Sequence, residues 1–263
     1  MEQTTREPAV AGTFYPKTDF DLKAMINKLL SQAQDYSQIP KALIVPHAGY
    51  VYSGLTAAAA YKGLLKFKES ISRVVLLGPS HHITFHGMAL PEVSFFNTPL
   101  GKIPLDTELI EKIERLPYAH FLDGAHADEH SLEVQLPFLQ VVLDDFKLVP
   151  ILVGNSNSSD ISDLLEFIWG DEKTLVIVST DLSHYLDYMD AKNLDHKTSQ
   201  AILNVRPNDI KTDQACGRLP VQGLLNLAQE KNLKVYQLDL RNSGDTAGMK
   251  DQVVGYGAYA FCE

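Results

Sequence analysis

Short apolar runs alternate with amphipathic stretches along most of the chain. Ala42–Pro46 (ALIVP), Val74–Leu77 (VVLL), Leu148–Val153 (LVPILV) and Leu175–Val178 (LVIV) are brief, rich in β-branched residues and mostly bounded by Gly, Pro or polar residues. That pattern predicts buried strands. Val235–Leu240 alternates in part, and Val253–Phe261 is a longer run weakened at Gly255 and Gly257. Both are predicted as further strands, the last with sites for bulges. Between the strands, apolar residues recur with helical spacing. Asp19–Gln34 places Leu22, Ile26, Leu29 and Leu30 on one face, and Gly54–Leu65 is alanine-rich. Asp106–Leu116 carries Leu109, Ile110 and Ile113, with Asp106 as a fitting N-cap after Pro104. Ser131–Leu143 carries Leu132, Leu136, Leu139 and Leu143, with Pro137 placed to kink it or delay its start. Ser159–Trp169, Met189–Leu203 and Val221–Gln229 complete the predicted helices. The alternation predicts an α/β fold with a mostly buried, mixed or parallel sheet flanked by helices.

Composition narrows the picture. No Gly/Ser- or Pro-rich linker and no repeat interrupts the 263 residues, so one domain over residues 1–263 is expected. A hydrophobic content of 45% excludes disorder. The absence of an apolar stretch of about 18 residues excludes a membrane-spanning helix. With 23 Lys and Arg against 33 Asp and Glu, the formal net charge is -10. A general basic groove is not expected, so neither nucleic acid nor a membrane surface is an expected partner. The opening MEQTTREPAVAG has no basic start followed by an apolar core, so no secretory signal is expected. Two cysteines cannot build a disulfide framework, which suits a reducing cytoplasm.

The chemistry lies in the turns just past the strands, because ligands of open α/β sheets bind beyond the strands' carboxyl ends. After ALIV comes Pro46-His47-Ala48-Gly49-Tyr50, after VVLL comes Gly78-Pro79-Ser80-His81-His82, and after LVIV come Ser179-Thr180-Asp181-Leu182-Ser183-His184. If those strands are parallel neighbours, the imidazoles converge on one rim. Asp181 and His184 would share a face if the chain turned helical there, as ligands or as a base with its orienter. An Asp181 helix cap is the plainer alternative. Before a predicted helix, Asp128-Glu129-His130-Ser131-Leu132-Glu133 supplies capping residues and acids suited to a helix start. Glu129 and His130 have a supporting or substrate-contacting role as the second reading. The segment is not H-E-x-x-H, which disfavours a zinc protease. Cys216, in Cys216-Gly217-Arg218 before a helix, reads equally as an inert thiol or as an activated one. There is no C-x-x-C, P-loop, G-x-S-x-G or G-x-G-x-x-G.

Taken in order with Arg6-Glu7-Pro8-Ala9-Val10-Ala11-Gly12-Thr13-Phe14-Tyr15-Pro16 and the closing Gly255-Tyr256-Gly257-Ala258, these segments resemble the Memo family. The bacterial and archaeal members are the B component of the AmmeMemoRadiSam system, encoded beside a radical-SAM protein, and the animal members are described as signalling mediators in cell motility. The resemblance implies a fold similar to class III extradiol dioxygenases and a metal held by His47, His81 and Cys216, with Asp181 and His184 as further pocket residues in catalytic roles. A thiolate then stands where the dioxygenases place a carboxylate, which softens the site toward iron of altered potential, copper or zinc. Iron is the first expectation. His82, Tyr50, Tyr52, Glu129 and His130 are the candidate substrate contacts, with strand or turn packing as the plainer reading of the two tyrosines. The leading functional expectation is a non-haem metal-dependent, dioxygenase-like oxidoreductase acting on a small molecule, with a functional link to a radical-SAM protein. The alternatives are a peptide- or ligand-binding module using the same pocket, and a zinc-type hydrolase.

Overall fold

The computed structural model describes residues 4–170 and 172–263. Its first half runs β1 (Thr5–Arg6), α1 (Asp19–Gln32), β2 (Ala42–Val45), α2 (Tyr50–Tyr61), β3 (Arg73–Pro79), β4 (Met88–Leu90), β5 (Phe95–Thr98), β6 (Gly101–Pro104), α3 (Thr107–Glu114), β7 (Ala119–Phe121) and α4 (Asp123–Ala127). The second half runs α5 (Leu136–Val142), β8 (Lys147–Val153), α6 (Ser158–Trp169), β9 (Thr174–Ser179), β10 (His184–Leu186), α7 (Tyr188–Leu203), α8 (Arg218–Glu230), β11 (Lys234–Asn242) and β12 (Val253–Cys262).

Nine strands form one mixed sheet in the order β10-β12-β2-β9-β3-β8-β4-β7, with β11 pairing the other edge of β12. The centre, β2-β9-β3-β8, is parallel throughout, while β12 and β4 run antiparallel to their central neighbours. The four apolar runs identified in the sequence are these four strands. All four residues of β2 are fully buried, so both faces of the sheet are covered there, as a near-continuous apolar run requires. Helix α2 packs on β2, and α8 on β3 and β9. A separate three-stranded sheet, β1-β5-β6, carries the start of the chain.

Among the described residues, six of the twelve strands are too short to be announced by an apolar run of strand length. They are two to four residues long, and their pairing comes from neighbours distant in sequence. The predicted helix at Ser131 also starts later. A 3-10 turn spans Glu133–Gln135, and α5 follows with Pro137 in its first turn, where a missing N–H costs nothing. Asp106 caps α3 as expected, accepting the Leu109 N–H at 3.3 Å.

Glu133 is not a solvated helix-start charge. It is fully buried and ion-paired with Arg6. Its carboxylate also accepts the backbone N–H groups of Ala9 (2.8 Å) and Val10 (3.0 Å) and the Tyr15 hydroxyl. Arg6 donates onward to the carbonyls of His126 (3.0 Å) and Glu129 (2.7 Å). The opening segment is therefore a strap that ties β1 to the loop carrying Glu129.

Asp195 on α7 is a second buried acid. Its Oδ1 accepts the Ser183 N–H at 3.0 Å, while its Oδ2 is buried with no partner among the described residues. Only a glycine fits opposite: a Cβ on Gly255 would lie 2.0 Å from the carboxylate. Burial outweighs the help from Ser183 and lifts the carboxyl to about 6 from its ordinary 3.8. The folded state thus holds this proton more tightly than the unfolded chain, and stability falls as pH rises from about 4 to about 6. The loss is about 3 kcal/mol across that window. Asp195→Asn is expected to abolish this component while keeping the Ser183 contact. Urea unfolding of both proteins at several pH values measures the difference, and equal pH profiles would disprove it.

Candidate metal centre and cavity

The topology brings three strand-end turns together. β9 lies between β2 and β3, so Thr180 and Asp181 emerge between His47 and His81. The imidazoles meet: the ring centroids of His47 and His81 are 5.3 Å apart, and His130 stacks on His81 at 4.7 Å. One ligand atom from each of His47, His81 and Cys216 lies within 4.8 Å of the others.

Hydrogen bonding sets which ring nitrogen each histidine offers. The Ser179 hydroxyl donates its one proton to the Ser131 carbonyl at 2.6 Å. It must then accept from its other neighbours, Gln135 Nε2 at 2.8 Å and His47 Nδ1 at 2.9 Å. Gln135 cannot be reversed, because the same Nε2 donates to the Pro46 carbonyl at 2.9 Å while Oε1 accepts the Tyr61 hydroxyl at 2.7 Å. His47 therefore carries its proton on Nδ1 and turns the Nε2 lone pair toward Cys216 Sγ, 3.3 Å away. Burial drives its pKa well below the ordinary value and keeps it neutral. In His81, Nδ1 is 2.9 Å from Glu129 Oε1, which leaves Nε2 for the site. Glu129 also takes the backbone N–H groups of His81 and, at 2.8 Å, Ser131. Burial opposes ionisation of this carboxyl, but those hydrogen bonds prevail and hold it at about 2. The partners of His81 act likewise: against burial, Cys216 and Glu129 lift its pKa to about 10.

Cys216 comes from a distant part of the chain. Its sulfur accepts the Asp181 N–H at 3.3 Å. The approach depends on Gly217, where a Cβ would lie 2.8 Å from Thr180 Cβ and 2.9 Å from the Ser179 carbonyl. Without that glycine, the start of α8 could not come this close to the end of β9.

His47 and His81 open onto a cavity of about 730 Å³ that Asp181, His184 and His130 also line, and the Cys216 sulfur lies 3.3 Å from His47 Nε2 behind that wall. Asp181 Oδ1 accepts the His47 N–H at 2.8 Å, and the Ala48 N–H helps. Burial nevertheless raises its pKa to about 7. His184 donates Nδ1–H to the Leu182 carbonyl at 2.8 Å, leaving its Nε2 lone pair, and burial lowers its pKa. The link between Asp181 and His184 is not a helical face. Residues 181–183 are irregular and His184 opens β10, so neither the helical pairing nor the helix-cap reading holds. Glu129 lies behind His81 and is 2% exposed, so it supports the site rather than contacting what enters it. His130 is part of the wall. Tyr50 is not: as the first residue of α2 it points into the core and donates its hydroxyl to the Val134 carbonyl at 2.7 Å. Tyr52, two residues on, faces the cavity instead. His82 is exposed, with its ring 6.1 Å from His130, and stands outside the cavity wall. The aromatic wall residues Phe14, Tyr185 and Tyr256 carried no site assignment in the sequence, since nothing in their local pattern distinguishes them from packing residues.

A profile of Memo-like proteins matches residues 6–260. The chain belongs to the Memo family. It is 39% identical to a MEMO1 family protein of Aquifex aeolicus, over 95% of this chain and 97% of that one. It is 36% identical to a MEMO1 family protein of Archaeoglobus fulgidus, over 97% and 99%. Among solved structures, an uncharacterized protein from Escherichia coli K12 aligns with a TM-score of 0.54 at 11% identity, covering 84% of this chain and 99% of that one. That likeness shows a shared fold. Among the described residues of this Memo-family chain, no helix is long and apolar enough to cross a membrane.

The donor set fits a metal ion. Bonds of about 2.0–2.3 Å in a tetrahedral arrangement separate ligand atoms by about 3.3–3.6 Å, and His47 Nε2 and Cys216 Sγ stand 3.3 Å apart. Both histidines have Nδ1 facing an oxygen acceptor, which is how metal-bound imidazoles are oriented.

Proposed function

We propose that this Memo-family protein is a metal-dependent oxidoreductase acting on a small organic substrate, with His47, His81 and Cys216 as the metal ligands. The observation that carries the reading is the convergence of two imidazole nitrogens and one sulfur, with one ligand atom of each within 4.8 Å of the others, and with both imidazoles lining a cavity. Imidazole with thiolate suits iron, copper and zinc; iron and copper would supply electron transfer as well as Lewis acidity. With the ion in place of the second His81 proton, two neutral imidazoles and a thiolate would leave one net positive charge on a divalent ion, and three protein ligands would leave positions open for a substrate.

The chain's own groups supply the rest. Glu129 and Ser179 hold the two rings in orientation. Asp181, with a pKa near neutrality, holds a proton at its carboxyl and can deliver it into the cavity, and the Nε2 of His184 can take one up. A phosphopeptide-binding module has less support, because no Lys or Arg is found among the described residues lining the cavity.

Anaerobic purification followed by metal analysis and oxygen-uptake measurement tests the reading. Bound iron or copper, with uptake lost on chelation and in His47→Ala, is the expected result. Absence of any metal affinity would overturn the site assignment. Zinc with no oxygen uptake would move the protein to hydrolytic chemistry.

A further inference from the structure

Consecutive side chains of a regular strand point to opposite faces. In β10 they do not, because His184 and Tyr185 both line the cavity. The pairing with β12 explains how. His184 sits opposite Val254 and Leu186 opposite Val253, so the register shifts across Tyr185, the extra residue of a β-bulge. Tyr185 holds a left-handed backbone with φ of 57°, a conformation natural to glycine and strained for an aromatic residue. Bulges re-aim side chains beside functional sites. This one turns a tyrosine, 70% exposed, toward the cavity mouth with its ring against His184 at 5.8 Å. Neither core packing nor backbone preference accounts for a tyrosine at this position.

We propose that Tyr185 reads the substrate by offering its ring to a flat organic molecule that is uncharged or cationic. The rest of the wall matches that chemistry. Phe14, Tyr52, Tyr256 and Met249 supply apolar and π surface, and Asp251 adds a carboxylate. Among the described lining residues there is no Lys or Arg to meet a phosphate. Aromatic faces attract both flat apolar groups and cations. The inference rests on the cavity being the ligand pocket of the proposed function, and not on which metal it holds.

Benzyl alcohol, benzylammonium and benzyl phosphate share one ring and differ in charge. Their binding is measured by NMR titration of the full chain, as purified and after chelation, with zinc affinity determined in parallel. The first two probes are expected to bind in both preparations. Benzyl phosphate is expected to bind about ten-fold more weakly after chelation, because the ion's charge is lost and the His81 imidazolium is already paired with Glu129. Tyr185→Ala should weaken the first two by about five-fold, the worth of one aromatic contact, without changing zinc affinity, and Tyr185→Phe should retain binding. Tyr185→Gly should lose binding like alanine yet melt no lower than wild type, because it relieves the left-handed residue. The proposal is overturned if no probe binds, if benzyl phosphate binds best after chelation, if Tyr185→Ala binds as wild type, or if Tyr185→Gly melts below it. Loss of zinc affinity with probe discrimination intact would defeat the metal reading alone.

Discussion

Cys216→Ser is expected to lower zinc affinity by at least about 100-fold, since even the residues behind metal ligands contribute up to that factor. In the proposed set of His47, His81 and Cys216, a cysteine bound to the ion would be the one anionic donor beside two imidazoles. A serine hydroxyl of the same shape stays protonated at neutral pH and offers a neutral, harder donor. The substitution is also structurally mild. Cys216 is only partly buried, and a serine oxygen can still accept the Asp181 N–H that now meets the sulfur. The metal-free variant should therefore unfold within about 0.5 kcal/mol of wild type. Ser179→Ala provides a graded comparison. It leaves the ligands in place but removes the acceptor that holds the His47 proton on Nδ1, and should weaken zinc by about ten-fold. Competition against a chromophoric chelator measures all three proteins. Wild-type affinity in Cys216→Ser would remove Cys216 from the ligand set, and with it the argument for a soft site.

Glu133→Ala is expected to destabilise the fold by about 3–5 kcal/mol, the usual result of leaving one partner of a buried ion pair behind. The Arg6 and Glu133 side chains are 5% and 0% exposed, so water cannot replace the carboxylate. The Ala9 and Val10 N–H groups lose their acceptor as well. Glu133→Gln keeps the shape and one acceptor oxygen but not the charge, and should fall between alanine and wild type. Urea unfolding monitored by the single tryptophan, Trp169, gives the free energies. A cost below about 1 kcal/mol for alanine, the level of a surface pair, would show that Arg6 finds another partner. The effect also reaches the proposed metal site. Arg6 donates to the Glu129 carbonyl, and Glu129 holds His81 through both its ring and its backbone N–H. Loosening the N-terminal strap should therefore weaken metal binding in the fraction that remains folded.

The four central strands were legible in the sequence because a strand buried on both faces must be apolar at every position. The strand-end histidines were legible for the same reason, standing just past those runs. Other site residues show where local pattern stops. Tyr50 and Tyr52 are equivalent candidates in sequence, but the helix that begins at Tyr50 turns one ring into the core and the other toward the cavity. Glu129 and Glu133 both resemble helix-start acids. The late start of α5 frees them, one to orient His81 and the other to anchor Arg6.

By itself the sequence determined the α/β class, the four buried core strands and the three histidine-bearing turns that follow strands, since hydrophobic burial acts through patterns that are local along the chain. Only the tertiary structure decided that β9 lies between β2 and β3, that Gly217 lets Cys216 reach the rim, and that Ser179, Gln135 and Tyr61 fix the tautomer of His47. Those choices rest on strand order, close approach and the pairing of buried polar groups. They are set by residues far apart in sequence that meet only once the chain has folded.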